Sequence, residues 1–287
     1  MIYLILSILA STAIFILFKL FDRYKINTLL AIVVNYITAC ISGVLSYDSP
    51  VNISQIISSK WFIGAILLGF LFISIFNLMA LTAQRNGLSV ASVASKMSVI
   101  IPVIFGIYVY NETLGIQKLI GIVLALVAVY LTAIKTKASF SFRKGLLFPF
   151  LLFFGSGVID TSIKYLESTY VSPNGIPIFS ATIFLCATGI GIVILFLKAI
   201  KGNFIFNIKS VLGGAILGVV NYYSIFFLLK ALQFESLESS TVFTINNVAV
   251  VMVSTLLGLA LFKEHLSKKN WLGIFMAIIS ILLVTLA

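Results

Sequence analysis

Two charged side chains lie deep inside apolar stretches, Lys96 in ASKMSVIIP and Asp160 in GSGVIDTSIKY. An ionised group in hydrocarbon is costly to hold, so each is a functional candidate. Lys96 can bind a substrate carboxylate or phosphate, or act as a switchable counter-ion. Equally, it can snorkel, or pair with a carbonyl or with Asp160. Ser92 and Ser95 beside it allow close backbone approach and hydrogen bonding. Asp160 is a proton-coupling candidate, unless Lys164, one helical turn on at i+4, simply neutralises it.

Uncharged polar residues form a second group: Asn35 and Tyr36, Asn77, Asn221 with Tyr222 and Tyr223, and Thr244 with Asn246 and Asn247. Amides are penalised against lipid, so these residues are expected to face the protein interior. There they either touch substrate or bridge helices. Asn246 and Asn247 point about 100° apart on a helix, so a single neighbour does not easily satisfy both. The candidate substrate-binding set is therefore Lys96, Asn77, Asn221, Tyr222, Thr244, Asn246 and Asn247. No metal spacing, nucleophile elbow or phosphate loop is present, and the lone His265 lies in a link. Cys40 and Cys186 sit within apolar runs and read as packing residues. Neither an enzyme, a cofactor nor a metal site is expected.

The elements that must hold these residues follow from composition. Of 287 residues, 61% are hydrophobic and 9% charged, against about 25% charged in a soluble domain. So few polar side chains cannot cover a wetted surface, and lipid is the expected surrounding. A helix needs roughly 20 apolar residues to cross the hydrocarbon core. That template gives ten spans, at about 2–20, 26–47, 61–83, 89–109, 115–134, 145–167, 176–199, 209–232, 240–262 and 269–287. The N-terminal apolar segment lacks a basic flank and reads as the first span, not as a signal peptide.

The net charge of +11 raises nucleic acid as a partner, but the basic residues sit in short links between spans. Lys19, Arg23, Lys25, Arg85, Lys135, Lys137, Arg143, Lys144, Lys198, Lys201, Lys209, Lys263, Lys268 and Lys269 fall near the odd-numbered links. Lys60, Lys118, Lys164 and Lys230 fall near the even-numbered ones. The positive-inside rule then places the odd links in the cytoplasm and both termini outside. Nucleic acid is excluded, and the partners expected are the bilayer, a small-molecule substrate and, as a candidate, a second copy of the chain.

The chain also repeats. YNETLGIQKLIGI at 110–122 aligns without a gap to FKEHLSKKNWLGI at 262–274, pairing Glu112 with Glu264, Leu114 with Leu266 and Gly121 with Gly273. Ser74-Ile75-Phe76 recurs as Ser224-Ile225-Phe226, Ala80-Leu81 as Ala231-Leu232, and Lys19-Leu-Phe-Asp22 is echoed by Lys164-Tyr-Leu-Glu167. The order of these matches describes two five-helix halves, 1–137 and 138–287. An odd number of spans per half forces the halves into opposite orientations, a recurring plan in secondary transporters. Glu112 and Glu264 sit at helix ends, where Asn111 can cap the following helix and a glutamate favours that helix N-terminus; both read as structural. Gly214-xxx-Gly218 is a close-packing signal.

These features resemble the drug/metabolite transporter superfamily, in its ten-helix EamA-like branch, over nearly the whole chain. The resemblance rests on Ser89-Val-Ala-Ser-Val-Ala-Ser95 leading to Pro102 and Asn111-Glu112-Thr-Leu114 with Gly121. It rests equally on Ser239-Ser240-Thr241 leading to Lys263-Glu264-His-Leu266 with Gly273. It implies a central cavity between inverted halves with alternating access, and a cargo among amino acids, other metabolites, sugars or nucleotide sugars. Two features depart from the family. Its termini are usually cytoplasmic, opposite to the charge bias here, and Ser254 stands where the repeat would pair with Pro102. The small multidrug exporters of the superfamily use a glutamate in the first helix, and this chain has no acidic residue there before Asp22.

The expected molecule is thus an all-α membrane protein of ten transmembrane helices, arranged as two inverted five-helix repeats in a bacterial cytoplasmic membrane. The expected function is secondary transport of a small polar metabolite, with amino acid export as the leading form. The alternative is a non-transporting membrane scaffold or a lipid-modifying subunit.

Overall fold

The computed structural model describes residues 2–47, 50–109, 115–133, 142–202, 206–232 and 239–286. Asn111, Glu112, Leu114, Lys135 and Lys137 lie outside the described residues. So do the side chains of Lys118, Arg143, Lys144, Ser239, Ser240, Thr241 and Thr244. The described chain is helical: α1 (Ile2–Arg23), α2 (Thr28–Leu45), α3 (Ile53–Ser58), α4 (Phe62–Arg85), α5 (Leu88–Met97), α6 (Ile100–Val109), α7 (Ile116–Ala133), α8 (Phe142–Tyr170), α9 (Ile176–Ile200), α10 (Ile208–Leu232), α11 (Ser239–Phe262) and α12 (Lys268–Thr285), with a 3-10 turn at Pro173–Gly175.

Among the described residues, seven helical stretches are long and apolar enough to cross a membrane: Ile2–Arg23, Thr28–Leu45, Phe62–Arg85, Leu146–Glu167, Ile176–Ile200, Ile208–Leu228 and Ile245–Phe262. The expected fourth and fifth spans fall on shorter apolar helices, Leu88–Pro102 and Leu119–Thr132. Side-chain burial follows the same logic. On α9, Leu185, Ile192, Val193, Phe196 and Leu197 are exposed, whereas Thr182, Ala187 and Thr188 are buried. An apolar face of this kind is stable against lipid and would aggregate in water. The protein is an integral, multi-pass, all-helical membrane protein.

The fourth span is interrupted by a turn. α5 ends at Met97, Ser98 and Val99 form a turn, and α6 restarts at Ile100. Pro102 supplies the reason: it has no N–H for the Ser98 carbonyl, and its ring crowds that carbonyl. The Ile101 N–H takes it instead, at 2.9 Å, in a tighter turn.

The helices group into two compact units, each discontinuous in sequence. Unit 1 comprises residues 1–19, 78–158 and 223–287; unit 2 comprises 20–77 and 159–222. In unit 1, a buried core joins Val93 and Met97 of α5, Ala125, Ala128 and Val129 of α7, Phe153 of α8, Val251 of α11, and Ile274, Ala277 and Ile281 of α12. α7 and α12 run antiparallel. Gln117 Nε2 donates to Leu283 O at 3.3 Å, Ser280 Oγ donates to Gly121 O at 2.7 Å, and a Cβ on Gly273 would lie 2.9 Å from Thr132 N.

Asn270 locks one end of this pair. It completes a capping box with Ser267 at the start of α12, and its Nδ2 donates to Leu131 O at 3.1 Å and Thr132 O at 2.9 Å. One amide thereby serves the N-terminus of one helix and two last-turn carbonyls of another, groups that helix ends leave without partners of their own.

In unit 2, α2 and α9 also run antiparallel. A Cβ on Gly43 would meet Ala181 Cβ at 3.1 Å, and one on Gly191 would meet Val33 Cγ2 at 2.5 Å. Tyr36 is fully buried between them and α4. Its ring lies 5.9 Å from that of Phe184 and 5.5 Å from that of Phe76, and its hydroxyl donates to Phe72 O at 2.8 Å. The buried phenol thus places its ring in an apolar cluster and its one donor on a carbonyl, as a hydrocarbon setting requires.

Candidate functional site

The site builds from the helix that carries Lys96. α5 begins at Gly87, whose φ of 109° is open to glycine and strained for other residues, and it has no side-chain cap of its own. The missing acceptor comes from far along the chain. Glu264, in the link between α11 and α12, accepts the Leu88 N–H at 2.7 Å and the Ser89 hydroxyl at 3.4 Å. Two glycines make room for it: a Cβ on Gly87 would lie 2.8 Å from Glu264 Oε1, and one on Gly258 would lie 2.7 Å from Oε2. Lys263 adopts a φ of 51°, and the Glu264 N–H returns to Gly258 O at 3.1 Å. The carboxylate was expected to favour the helix that follows it. The electrostatic rule holds, but the helix it serves is α5.

A cation answers on the other side of the same turn. Lys19 Nζ donates to Ala83 O and to Gln84 O, each at 3.2 Å, at the C-terminus of α4. It also stands 3.9 Å from Glu264 Oε1, with both side chains largely covered. Positive charge on the carbonyl end of one helix and negative charge on the amide end of the next both complement the helix dipoles. The turn before α5 is therefore clamped from both sides.

Lys96 sits in the last turn of α5, half-buried, immediately before the break at Ser98 and Val99. A cation there also complements a helix C-terminus. Opposite α5 runs α11, antiparallel: Ser89 lies against Gly258, and Ser254 Oγ donates to Ser92 Oγ at 2.7 Å. α11 carries the buried amides Asn246 and Asn247, 1% and 7% exposed. Ser7 Oγ lies 3.0 Å from Ser224 O and 3.3 Å from Asn246 Oδ1. A hydroxyl has one proton and serves one of these acceptors at a time. Unit 1 thus brings Lys96, Asn246 and Asn247 onto two helices packed against each other. Thr244 belongs to the same helix, and its side chain lies outside the described ones.

The remaining candidates belong to unit 2. Asn77 turns its amide back onto its own helix, with Nδ2 donating to Ile73 O at 2.7 Å. Asn221 is buried on α10, and the neighbouring Tyr222 hydroxyl donates to Ser46 Oγ of α2. Asp160 is exposed on α8, as is Lys164 one turn further on. Two groups of consequence carried no site-level signal in the sequence. Glu264 shows only as half of a repeat motif, and Ser254 only as the residue opposite Pro102 in the repeat register.

Among the described residues, no group of three or more His, Cys, Asp or Glu side chains converges as a metal site would. Among the described residues, the expected binding set offers Lys96, amides and hydroxyls, which can bind and orient a polar solute. Sequence comparison is in keeping with that inventory. A profile of the EamA-like transporter family matches residues 143–286. An uncharacterized protein of Haemophilus influenzae is 31% identical over 291 residues, covering 97% of this chain and 95% of the relative. A protein known from its crystal structure shares the fold with a TM-score of 0.59 at 13% identity, over 99% of this chain and 96% of that one.

Proposed function

The chain belongs to the EamA-like transporter family, and on that premise we propose that it is a secondary, alternating-access transporter of a small polar metabolite in a bacterial cytoplasmic membrane. An amino acid is the leading substrate class. The observation that carries this reading is the interruption of the fourth span with Lys96 at its edge. Broken helices at membrane depth are tolerated where they serve a polar path or site, and they recur at the substrate sites of transporters. A lysine beside the break, with Asn246 and Asn247 on the adjoining helix, suits a solute bearing a carboxylate and further hydrogen-bonding groups.

The reading of two inverted halves, 1–137 and 138–287, has support from helix packing. Helices at equivalent places in the two halves are neighbours within their units and run antiparallel: α2 with α9, α5 with α11, and α7 with α12. Antiparallel mates are what a repeat with an odd number of spans produces. Such internal symmetry gives a carrier two states related by exchange of the halves, and so exposure of one site to either side.

Reconstituted liposomes test the proposal. Uptake of at least one labelled polar metabolite above that of empty vesicles, saturable and inhibited by its unlabelled form, is expected. A broad panel in which nothing crosses faster than in empty vesicles overturns transport and returns the scaffold reading to the front.

A further inference from the structure

One end of unit 2 carries most of the positive charge of its described residues. α2 and α10 start there side by side: the Asn27 N–H donates to Ser210 Oγ at 2.9 Å, and a Cβ on Gly213 would lie 3.3 Å from Ile26 Cδ1. α9 finishes at the same end, because it runs antiparallel to α2 with Gly191 against Val33. Arg23 and Lys25 in the approach to α2, Lys198 and Lys201 at the end of α9, and Lys209 at the start of α10 are all exposed. Asp22 is the one carboxylate at that end among the described residues. None of the five cations forms an ion pair among the described residues. At the other end, where the Trp61 ring packs 5.3 Å from that of Phe179 near the start of α9, Lys60 and Lys164 are accompanied by Glu167.

The positive-inside rule asks only that a short link be basic, and makes no demand on which of its residues carries the charge. Lys25 goes beyond it. α1 closes with a Schellman turn: the Lys25 N–H donates to Asp22 O at 3.2 Å, the Ile26 N–H donates to Phe21 O at 2.8 Å, and Lys25 itself sits at a φ of 52°. Glycine takes that position without strain and lysine does not. α9 closes with the residue the turn prefers, Gly202 at a φ of 69°, whose N–H donates to Ala199 O at 3.0 Å. A lysine held in the left-handed region with its side chain exposed gives up stability for something other than the turn.

Apolar groups flank these cations. Phe196 and Ile200 in the last turns of α9 and Ile208 at the start of α10 are exposed, and so is Tyr24 between Arg23 and Lys25. Exposed hydrocarbon beside exposed cations matches a molecule with an anionic head and apolar tails. A soluble phosphate would use the cations alone, and an acidic peptide or nucleic acid would leave the hydrocarbon in water. We propose that this end of unit 2 is a binding surface for an anionic phospholipid, with Lys25 as a principal contact. The phosphate oxygens accept from the lysine ammoniums and the Arg23 guanidinium, and the acyl chains lie along the exposed apolar face of α9. This inference needs only the membrane setting and stands apart from the transport reading.

The test is thermal unfolding of the full-length protein in a neutral detergent, with phosphatidylglycerol, phosphatidylcholine of the same acyl chains, or glycerol phosphate added. Phosphatidylglycerol is expected to raise the melting temperature several degrees more than phosphatidylcholine, and glycerol phosphate to leave it unchanged. Without lipid, Lys25→Gly should match or exceed the wild type, since glycine is free at that φ. It should lose at least about half of the phosphatidylglycerol effect, whereas Lys60→Gln at the other end should keep it. Equal rises with the two lipids, or a rise with glycerol phosphate that matches phosphatidylglycerol, overturn the proposal. So do an undiminished effect in Lys25→Gly and an equal loss in Lys60→Gln. A Lys25→Gly protein that is less stable without lipid also overturns it, because the lysine would then serve the fold. If Lys25→Gly fails to insert, Lys25→Asn, which also tolerates the left-handed region, is read by the same measurements.

Discussion

The Glu264 carboxylate accepts the backbone N–H of Leu88 at 2.7 Å, across 176 residues of sequence. It is the N-terminal cap of α5, supplied by a link between two other helices. Because Lys96 lies near the other end of that ten-residue helix, the cap also fixes where the lysine stands. A short helix has few bonds of its own and depends on its ends.

Glu264→Ala is therefore expected to destabilise the protein by about 1–2 kcal/mol, the usual worth of a lost N-cap with a favourable charge at a helix start. Glu264→Gln keeps an acceptor oxygen and should lose less. Gly87→Ala should be as harmful as Glu264→Ala, because its φ of 109° is strained for alanine and its Cβ would sit 2.8 Å from the carboxylate. Melting temperatures of the purified variants in one detergent rank the three. Equal values for Glu264→Ala and wild type would remove the cap from the account.

Asn270 gives a sharper contrast between two substitutions. Asn270→Ala loses the capping box and both bonds to α7, with an expected cost of about 2 kcal/mol. Asn270→Asp keeps an acceptor for Ser267 but cannot donate to Leu131 O and Thr132 O, and it sets a negative charge against a helix C-terminus. The aspartate variant should be no more stable than the alanine one. A clear recovery with aspartate would show that the bonds to α7 contribute little.

Glycines divide by what surrounds them. Gly218→Leu forces a side chain into the backbone of α2 and should cost about 1–3 kcal/mol as overpacking. Gly189→Ala on α9 meets nothing within 4 Å and replaces a poor helix former. It should be neutral or mildly stabilising. Melting curves of the two variants read the difference directly, and similar losses in both would contradict the packing described.

Lys96→Ala is expected to lower uptake at least tenfold without loss of insertion, since a bound anionic group would lose its charged partner. Asp160→Asn tests coupling separately. If Asp160 carries the proton, the variant should lose accumulation driven by a pH gradient and retain solute exchange across the membrane. Normal accumulation in Asp160→Asn leaves that carboxylate no coupling role, a result its exposed position on α8 would make easy to understand.

How much of this was legible beforehand differs from residue to residue. Seven of the ten expected spans were, because a stretch of about 20 apolar residues between basic links has one economical reading in a membrane. The break at Ser98 was half-legible: Pro102 marks it, but proline in a membrane helix can also produce only a kink. Asn246 and Asn247 were placed correctly in the interior by the penalty on lipid-facing amides. Asp160 follows no such rule and is exposed. The role of Glu264 could not be read, because its distance from Gly87 along the chain says nothing about their distance in space.

The sequence by itself determined the solvent and the helical class of this protein. Those depend on composition and local spacing, and hydrocarbon punishes unpaired backbone so strongly that few alternatives survive. Only the tertiary structure decided which distant groups meet: Glu264 with the start of α5, Asn270 with the end of α7, and Gly214 with the Ala31 carbonyl of α2. These are short-range polar and steric contacts, set by helix register and crossing to within an ångström, and no pattern along the chain encodes them.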